Sequence, residues 1–150
     1  MNTRRYNEGL SLVEMMIVLG LIALLATMVI TVATRIESQS KERGVKSTFA
    51  LLEAALEEYK EFQGDFPVQP RPRTDFWSVV AHSGFLYTEL YSIPGSRKIL
   101  DKIINPQKHA FVDPWYQPLD YRYAPGDNYP ELVSAGPDRK FDTADDITNR

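Results

Sequence analysis

Apolar residues run almost unbroken from Leu10 to Thr34, and Glu14 is the only charged side chain among them. The stretch Met15 to Ala33 by itself is long enough to cross about 30 Å of hydrocarbon as a helix. Ahead of it, Met1 to Gly9 is polar, carries Arg4, Arg5 and Glu8, and ends in glycine. A secretory signal peptide has its small-residue cleavage site after the apolar run; here the small residue, Gly9, precedes it. Arg4 and Arg5 predict a cytoplasmic N-terminus, which sends everything beyond Thr34 outward.

A different pattern follows. No proline interrupts Arg35 to Gln63, and Val45, Phe49, Leu52, Leu56 and Tyr59 recur at steps of four and three. Such spacing places them on one face of a helix. Glu53, Glu57, Glu58 and Lys60 occupy the rest of its surface, and Gly64 supplies the stop. A helix continuous from Leu10 to Gln63 would be roughly 80 Å long. Ser40 and Gly44 are positions where it can bend without having to.

From Asp65 the texture changes. Pro67, Pro70 and Pro72 predict an extended segment. Thr74 and Asp75 offer N-cap chemistry before Phe76, Trp77, Val79 and Val80, and Arg97 to Ile104 gathers Ile99, Leu100, Ile103 and Ile104 largely on one side, so two short helices are expected. Leu119, Tyr121 and Tyr123 alternate with Asp120 and Arg122, the period of a strand with one buried face. Ala124 to Asn128 reads as a turn and Glu131 to Ala135 as the partner strand of a small antiparallel sheet covering Phe49, Leu52 and Leu56.

Composition narrows the chemistry. A formal charge of −3 offers no basic stripe for nucleic acid. The absence of cysteine excludes disulfides and thiolate metal sites. His82 and His109 with Ser83, Ser92 or Asp113 lack any triad or elbow spacing, so the chain reads as no enzyme. Trp77, Trp115 and the tyrosines read as core and rim of a small domain rather than a sugar or peptide platform. Lys41, Glu42, Arg43 and Lys46 form a mixed-charge cluster for which solvation is the default.

The segment Gly9-Leu10-Ser11-Leu12-Val13-Glu14 resembles the prepilin cleavage motif of type IV pilins and type II secretion pseudopilins. The likeness joins a short basic leader, a terminal glycine, an acidic residue fifth in the mature chain and an apolar helix starting at the cut. It implies that a prepilin peptidase cleaves between Gly9 and Leu10 and methylates the new amine of Leu10. Glu14 has a physical stake in this, because a carboxylate inside a bilayer is costly unless protonated or paired. No basic residue lies between Leu10 and Thr34 to pair with it. In the family the equivalent glutamate is thought to neutralise the N-terminal amine of a neighbouring subunit, which implies an assembly role for Glu14. Two departures stand out: Leu10 replaces the usual phenylalanine, and Thr31 lies where many members have a helix-bending proline.

The C-terminal part, from Asp113-Pro114-Trp115 and Tyr121-Arg122-Tyr123 to Leu132 through Asp138 and Asp142 through Ile147, is similar to the ending of major pseudopilins. There that region forms a calcium-binding loop. The resemblance implies a Ca²⁺ site here from Asp138, Asp142, Asp145 and Asp146 with backbone oxygens near Leu132 and Ser134, a set of hard donors suited to calcium. The spacing is not that of an EF-hand. Arg139 replaces a glycine often found after the first aspartate.

The sequence therefore predicts an α+β, type IV pilin-like fold: a long N-terminal helix, half transmembrane and half amphipathic, packed on a small antiparallel β-sheet. Its expected divisions are a leader (1–9), a transmembrane and filament-core helix (10–34), an amphipathic helix (35–64) and a periplasmic loop-and-sheet domain (65–150). The resemblance implies a single-pass inner-membrane subunit that polymerises with itself into a periplasmic pseudopilus of type II secretion. Its implied partners are the prepilin peptidase, other pseudopilins and the inner-membrane assembly platform. A type IV pilus or competence filament subunit, and a membrane-tethered monomeric binding domain, are the alternatives.

Overall fold

The apolar stretch and the amphipathic stretch after it fall within one helical element, α1 (Leu12–Gln63), in the computed structural model, which describes residues 11–70, 72–103 and 109–150 and, of 31–35, the backbone alone. Two further helices, α2 (Phe76–Ser92) and α3 (Pro94–Leu100), precede three strands, β1 (Asp120–Arg122), β2 (Glu131–Ser134) and β3 (Ile147–Thr148). The architecture is α+β, as the hydrophobic patterning predicts. The chain separates into two units, Met1–Ser38 and Gln39–Arg150.

In the first unit, the large apolar side chains described from Leu12 to Ile30 are exposed, so this segment finds no protein core within its own chain. Its 19 residues, Leu12–Ile30, have the length and composition to cross a membrane. Thr27 satisfies its hydroxyl inside the helix by donating to the carbonyls of Ala23 at 2.7 Å and Leu24 at 3.0 Å. That back-bonding is how a hydroxyl is tolerated in an apolar segment.

In the second unit the stripe read from the sequence is the buried one. Val45, Phe49, Leu52, Leu56 and Tyr59 of α1 all fall in the core, joined by Leu86 and Leu90 of α2, Leu100 of α3 and Leu119, Tyr121, Tyr123 and Leu132 of the sheet region. Each such aliphatic or aromatic side chain contributes about 1.5–3 kcal/mol by leaving water. Ala55, also fully buried, lets α3 approach closely enough for Ser96 to donate to the Ala55 carbonyl at 2.8 Å. The helix stops at Gly64, whose φ of +89° suits glycine and whose N–H bonds the Lys60 carbonyl at 2.8 Å.

Asp75 caps α2 as the sequence suggests: its carboxylate accepts from Ser78 N at 2.8 Å, and Ser78 Oγ accepts from Asp75 N at 3.1 Å, closing a reciprocal capping box. The second short helix differs from its predicted span, Arg97 to Ile104. It starts at Pro94, whose fixed φ is preorganised for a first helical turn, and its regular bonding ends at Leu100. Beyond Leu100 the chain tightens into three-residue bonds, Lys102 N to Ile99 O at 3.1 Å and Ile103 N to Leu100 O at 2.8 Å. Ile104 lies outside the described residues.

The sheet has the order β1-β2-β3, all antiparallel, with Tyr121 opposite Leu132 and Val133 opposite Thr148. The first two strands are those predicted. The third is not, because Ile147 and Thr148 are too few to show a period. One buried face also proves too simple for β1. Leu119, Tyr121 and Tyr123 are buried as expected, but Asp120 on the opposite face is fully buried too, because α2 packs against β1 there.

Candidate functional site

Two regions carry the residues singled out by sequence. At the N-terminus, Gly9 and Leu10 lie outside the described residues, and Glu14 stands in the first turn of α1. Ser11 precedes the helix, and its N–H donates to the Glu14 carboxylate at 3.4 Å, while Met15 N bonds the Ser11 carbonyl at 3.1 Å. Glu14 thus stands where the third helical residue of a capping box stands. A carboxylate there also faces the positive end of the helix dipole. The spacing Ser11-x-x-Glu14 is the local signal of this cap in the sequence. The side chain is exposed.

At the C-terminus the chain between β2 and β3 folds back on itself. Gly136, at φ +64°, passes so near Asp145 that a Cβ on it would collide with the Asp145 carbonyl oxygen. Asp145 draws the turn together by accepting from Asp138 N at 3.0 Å through one oxygen and from the Thr143 hydroxyl at 2.7 Å through the other. The Thr143 bond, followed by the Asp138 N–H, holds its carboxyl below the usual carboxylate range. Asp138 accepts from Lys140 N, and Asp146 Oδ2 from Asp142 N, each at 2.8 Å. Asp146 Oδ1 is buried and has no hydrogen-bond partner. Burial raises the Asp146 carboxyl, with Asp145 and Asp138 adding to the effect.

Asp142 is held differently. Its carboxylate is bonded to Arg73 and lies 3.4 Å from Arg122. Both arginines also reach Asp120, Arg122 at 2.8 Å and Arg73 at 3.5 Å, so one pair of guanidinium groups joins the acidic turn to β1. Of the remaining predicted ligands, Leu132 uses its carbonyl to accept from Asn149 N at 3.3 Å, and Ser134 donates its hydroxyl to Asp113 at 2.7 Å. Among the described residues, no three histidine, aspartate or glutamate side chains are grouped to hold a metal ion. Arg139 has a φ of +61°, which accounts physically for a glycine being favoured at such a place.

Asp113 is a residue whose part the sequence did not reveal. Buried, it accepts from Trp115 N at 2.9 Å and Gln117 N at 2.8 Å through Oδ1, and from Ser134 through Oδ2. It therefore fixes the turn carrying Trp115 against the start of the acidic loop. The Asp113-Pro114 step is the local signal for such a turn.

Residues 4–30 match the family model described as the prokaryotic N-terminal methylation motif. No curated protein and no solved structure matches the chain. The matched segment covers the basic residues, Gly9, Leu10, Glu14 and the apolar helix up to Ile30. Such a motif marks pilin-like structural subunits, not enzymes; it implies processing by a prepilin peptidase and assembly with further copies, and it accords with a membrane-anchored, filament-forming protein. On residues 4–30 the chain thus carries the N-terminal signature of prepilin-processed, type IV pilin-like proteins.

Proposed function

We propose that the chain is the structural subunit of a periplasmic pseudopilus of type II secretion. Prepilin peptidase cuts it between Gly9 and Leu10 and methylates Leu10. Subunits wait in the inner membrane until the assembly platform extracts them, and they polymerise through their N-terminal helices to drive protein secretion. The observation that carries this reading is the methylation motif running directly into an exposed apolar helix whose single charge is Glu14. A lone carboxylate in lipid favours any arrangement that brings it a cation, and a new N-terminal amine on a neighbouring copy is such a cation. The reading of a secretion pseudopilus over a surface pilus draws on the cysteine-free sequence and its pseudopilin-like ending.

Calcium belongs to the same reading. Asp138, Asp145 and Asp146, with backbone oxygens of Leu132 and Ser134, are the donors that would hold it. The buried, unpartnered Asp146 Oδ1 offers a hard cation one oxygen, although the carboxylates of Asp138, Asp145 and Asp146 are not grouped around a common point. Asp142 fits less well while Arg73 and Arg122 hold it. A bound cation would neutralise the turn and fix it against the sheet.

The deciding experiment is the intact mass of the protein recovered from membranes of its native host, combined with a secretion assay on a deletion strain. A chain beginning at Leu10 with one added methyl group, and a strain that retains secreted proteins inside the cell, support the proposal. Normal secretion with loss of surface filaments would instead identify a pilus subunit. A chain retaining Met1 to Gly9 beside an active peptidase would make it a tethered binding domain.

A further inference from the structure

Two surface features of the Gln39–Arg150 unit, an aromatic-walled pocket and an exposed aromatic side chain, carry opposite charge at their edges. The first is a pocket of about 330 Å³ at the start of α2, walled by Phe76, Val79 and Phe141 and rimmed by Arg73, Arg139 and Lys140. Asp75, also on its lining, is engaged in capping Ser78, and Arg73 is engaged by Asp120 and Asp142. Arg139 and Lys140 are exposed and form no ion pair among the described residues, so they leave the rim positive. The second feature is the last turn of α1. Phe62 is 69% exposed there, beside exposed Glu61 and one turn beyond exposed Glu58. The nearby cation, Lys60, lies over the Phe66 ring at 4.5 Å.

We propose that these features meet between copies: Phe62 of one subunit enters the Phe76–Phe141 pocket of the next, and Glu58 and Glu61 face Arg139 and Lys140. The pocket volume accommodates a phenyl ring, and its aromatic walls allow edge-to-face packing. An aromatic anchor in a pocket with a charged rim is the usual anatomy of a strong protein contact, the rim setting register and partner choice. The two features share no residue. In the head-to-tail arrangement each subunit added leaves one knob and one pocket unfilled, so that the contact propagates, whereas a reciprocal pairing of two copies would close as a dimer and give no ladder. This rests on the reading that the chain polymerises, and it adds which surfaces of the globular units touch.

Because the chain has no cysteine, full-length protein carrying Glu61→Cys and Lys140→Cys reports the contact directly. Oxidation of membranes holding the assembled chain should give a reducible ladder of dimers, trimers and longer species, whereas either single variant stops at dimers. In a second arm, Lys140→Glu should lower the yield of sheared filaments at least tenfold, and adding Glu61→Lys should restore it. Melting temperatures of the variants show that each still folds. No ladder, a single adduct with another protein, or a charge swap that restores nothing overturns the contact. Intact mass on the same membranes separates the two readings: a processed, methylated chain without a ladder refutes the contact alone, and an unprocessed chain without one refutes both.

Discussion

Asp120 of β1, fully buried, lies 3.2 Å from His82 Nδ1 of α2 through one carboxylate oxygen and 2.8 Å from Arg122 Nε through the other. Arg73 approaches the second oxygen as well, at 3.5 Å. Helix, strand and proline-rich segment thus converge on one buried anion. Removing Asp120 takes from buried His82 the carboxylate beside its Nδ1, while Arg73 and Arg122 keep Asp142 as a partner. Asp120→Ala should cost about 1–3 kcal/mol, measured by chemical denaturation of the soluble unit. An unchanged denaturation midpoint would mean that His82 is satisfied without Asp120.

Asn149 ties the end of the chain to α1. Its amide donates to Glu53 at 2.8 Å and to the Pro130 carbonyl at 3.3 Å, and its side-chain oxygen accepts from Leu132 N at 2.9 Å. Asn149→Ala leaves the Leu132 N–H without its partner and frees β3 from the helix. A loss of about 1–3 kcal/mol is expected, with faster hydrogen exchange at Leu132 than elsewhere on β2. Uniform exchange along β2 would mean that Asn149 is dispensable.

Burial raises Tyr59 and Tyr129 to about 12, Glu89 adding to the first and Glu57 and Glu53 to the second; burial raises Tyr121 as well. A group whose pKa is raised on folding stabilises the protein fully below its unfolded value, about 10 for tyrosine, and loses that contribution as pH rises through the folded value. Stability should therefore fall between about pH 10 and pH 12. Tyrosinate absorbance should show a late step coincident with loss of structure. A single early step near pH 10, with the fold intact, would show these phenols to be solvated.

Much of this was legible in the sequence because it rests on period. The α1 stripe from Val45 to Tyr59 and the alternation of Leu119, Tyr121 and Tyr123 declare their buried faces without tertiary knowledge. The Asp75 cap and Gly64 stop are local chemistry, also readable. What escaped depends on distant partners. Asp120 looked like an outward polar residue because nothing in Asp120-Tyr121-Arg122 says that α2 covers it. The strand at Ile147–Thr148 exists because Val133 and Ser134 offer a free edge. The four aspartates of the acidic turn stand near one another in the sequence, and only the resemblance to pseudopilin endings makes them a ligand set. Their division into Asp142 on two arginines and Asp138, Asp145 and Asp146 on the turn depends on Arg73, 69 positions before Asp142.

Calcium and pH should act on the same carboxylate. Asp146 has its pKa raised by burial, so in chelator its contribution runs opposite to an ordinary paired carboxylate: stability falls as pH rises from about 3.9 through the raised value. Calcium should offset that fall, adding about 2.7 kcal/mol when free metal exceeds Kd a hundredfold. Asp146→Ala should abolish the response. Asp142→Ala should lower the melting temperature yet keep the calcium increment, because its present partners are Arg73 and Arg122. Identical melting curves in calcium and chelator would remove the metal.

Glu14 invites two explanations that one pair of substitutions separates. Its carboxylate caps the first turn of α1 through Ser11 N, and it is also the only charge in the apolar helix. Glu14→Gln keeps an oxygen to accept from Ser11 but removes the charge, whereas Glu14→Leu removes both. If pairing with a neighbour's amine drives incorporation, both variants insert into the membrane and neither enters sheared filaments, since a neutral amide cannot compensate an ammonium group in lipid. If capping were the decisive role, Glu14→Gln would assemble like the parent and only Glu14→Leu would fail. Pairing should prevail, because a cap contributes only about 0.5–2 kcal/mol to a helix already stabilised along its length by the bilayer, while an unpaired intramembrane charge costs about 2.5 kcal/mol or more.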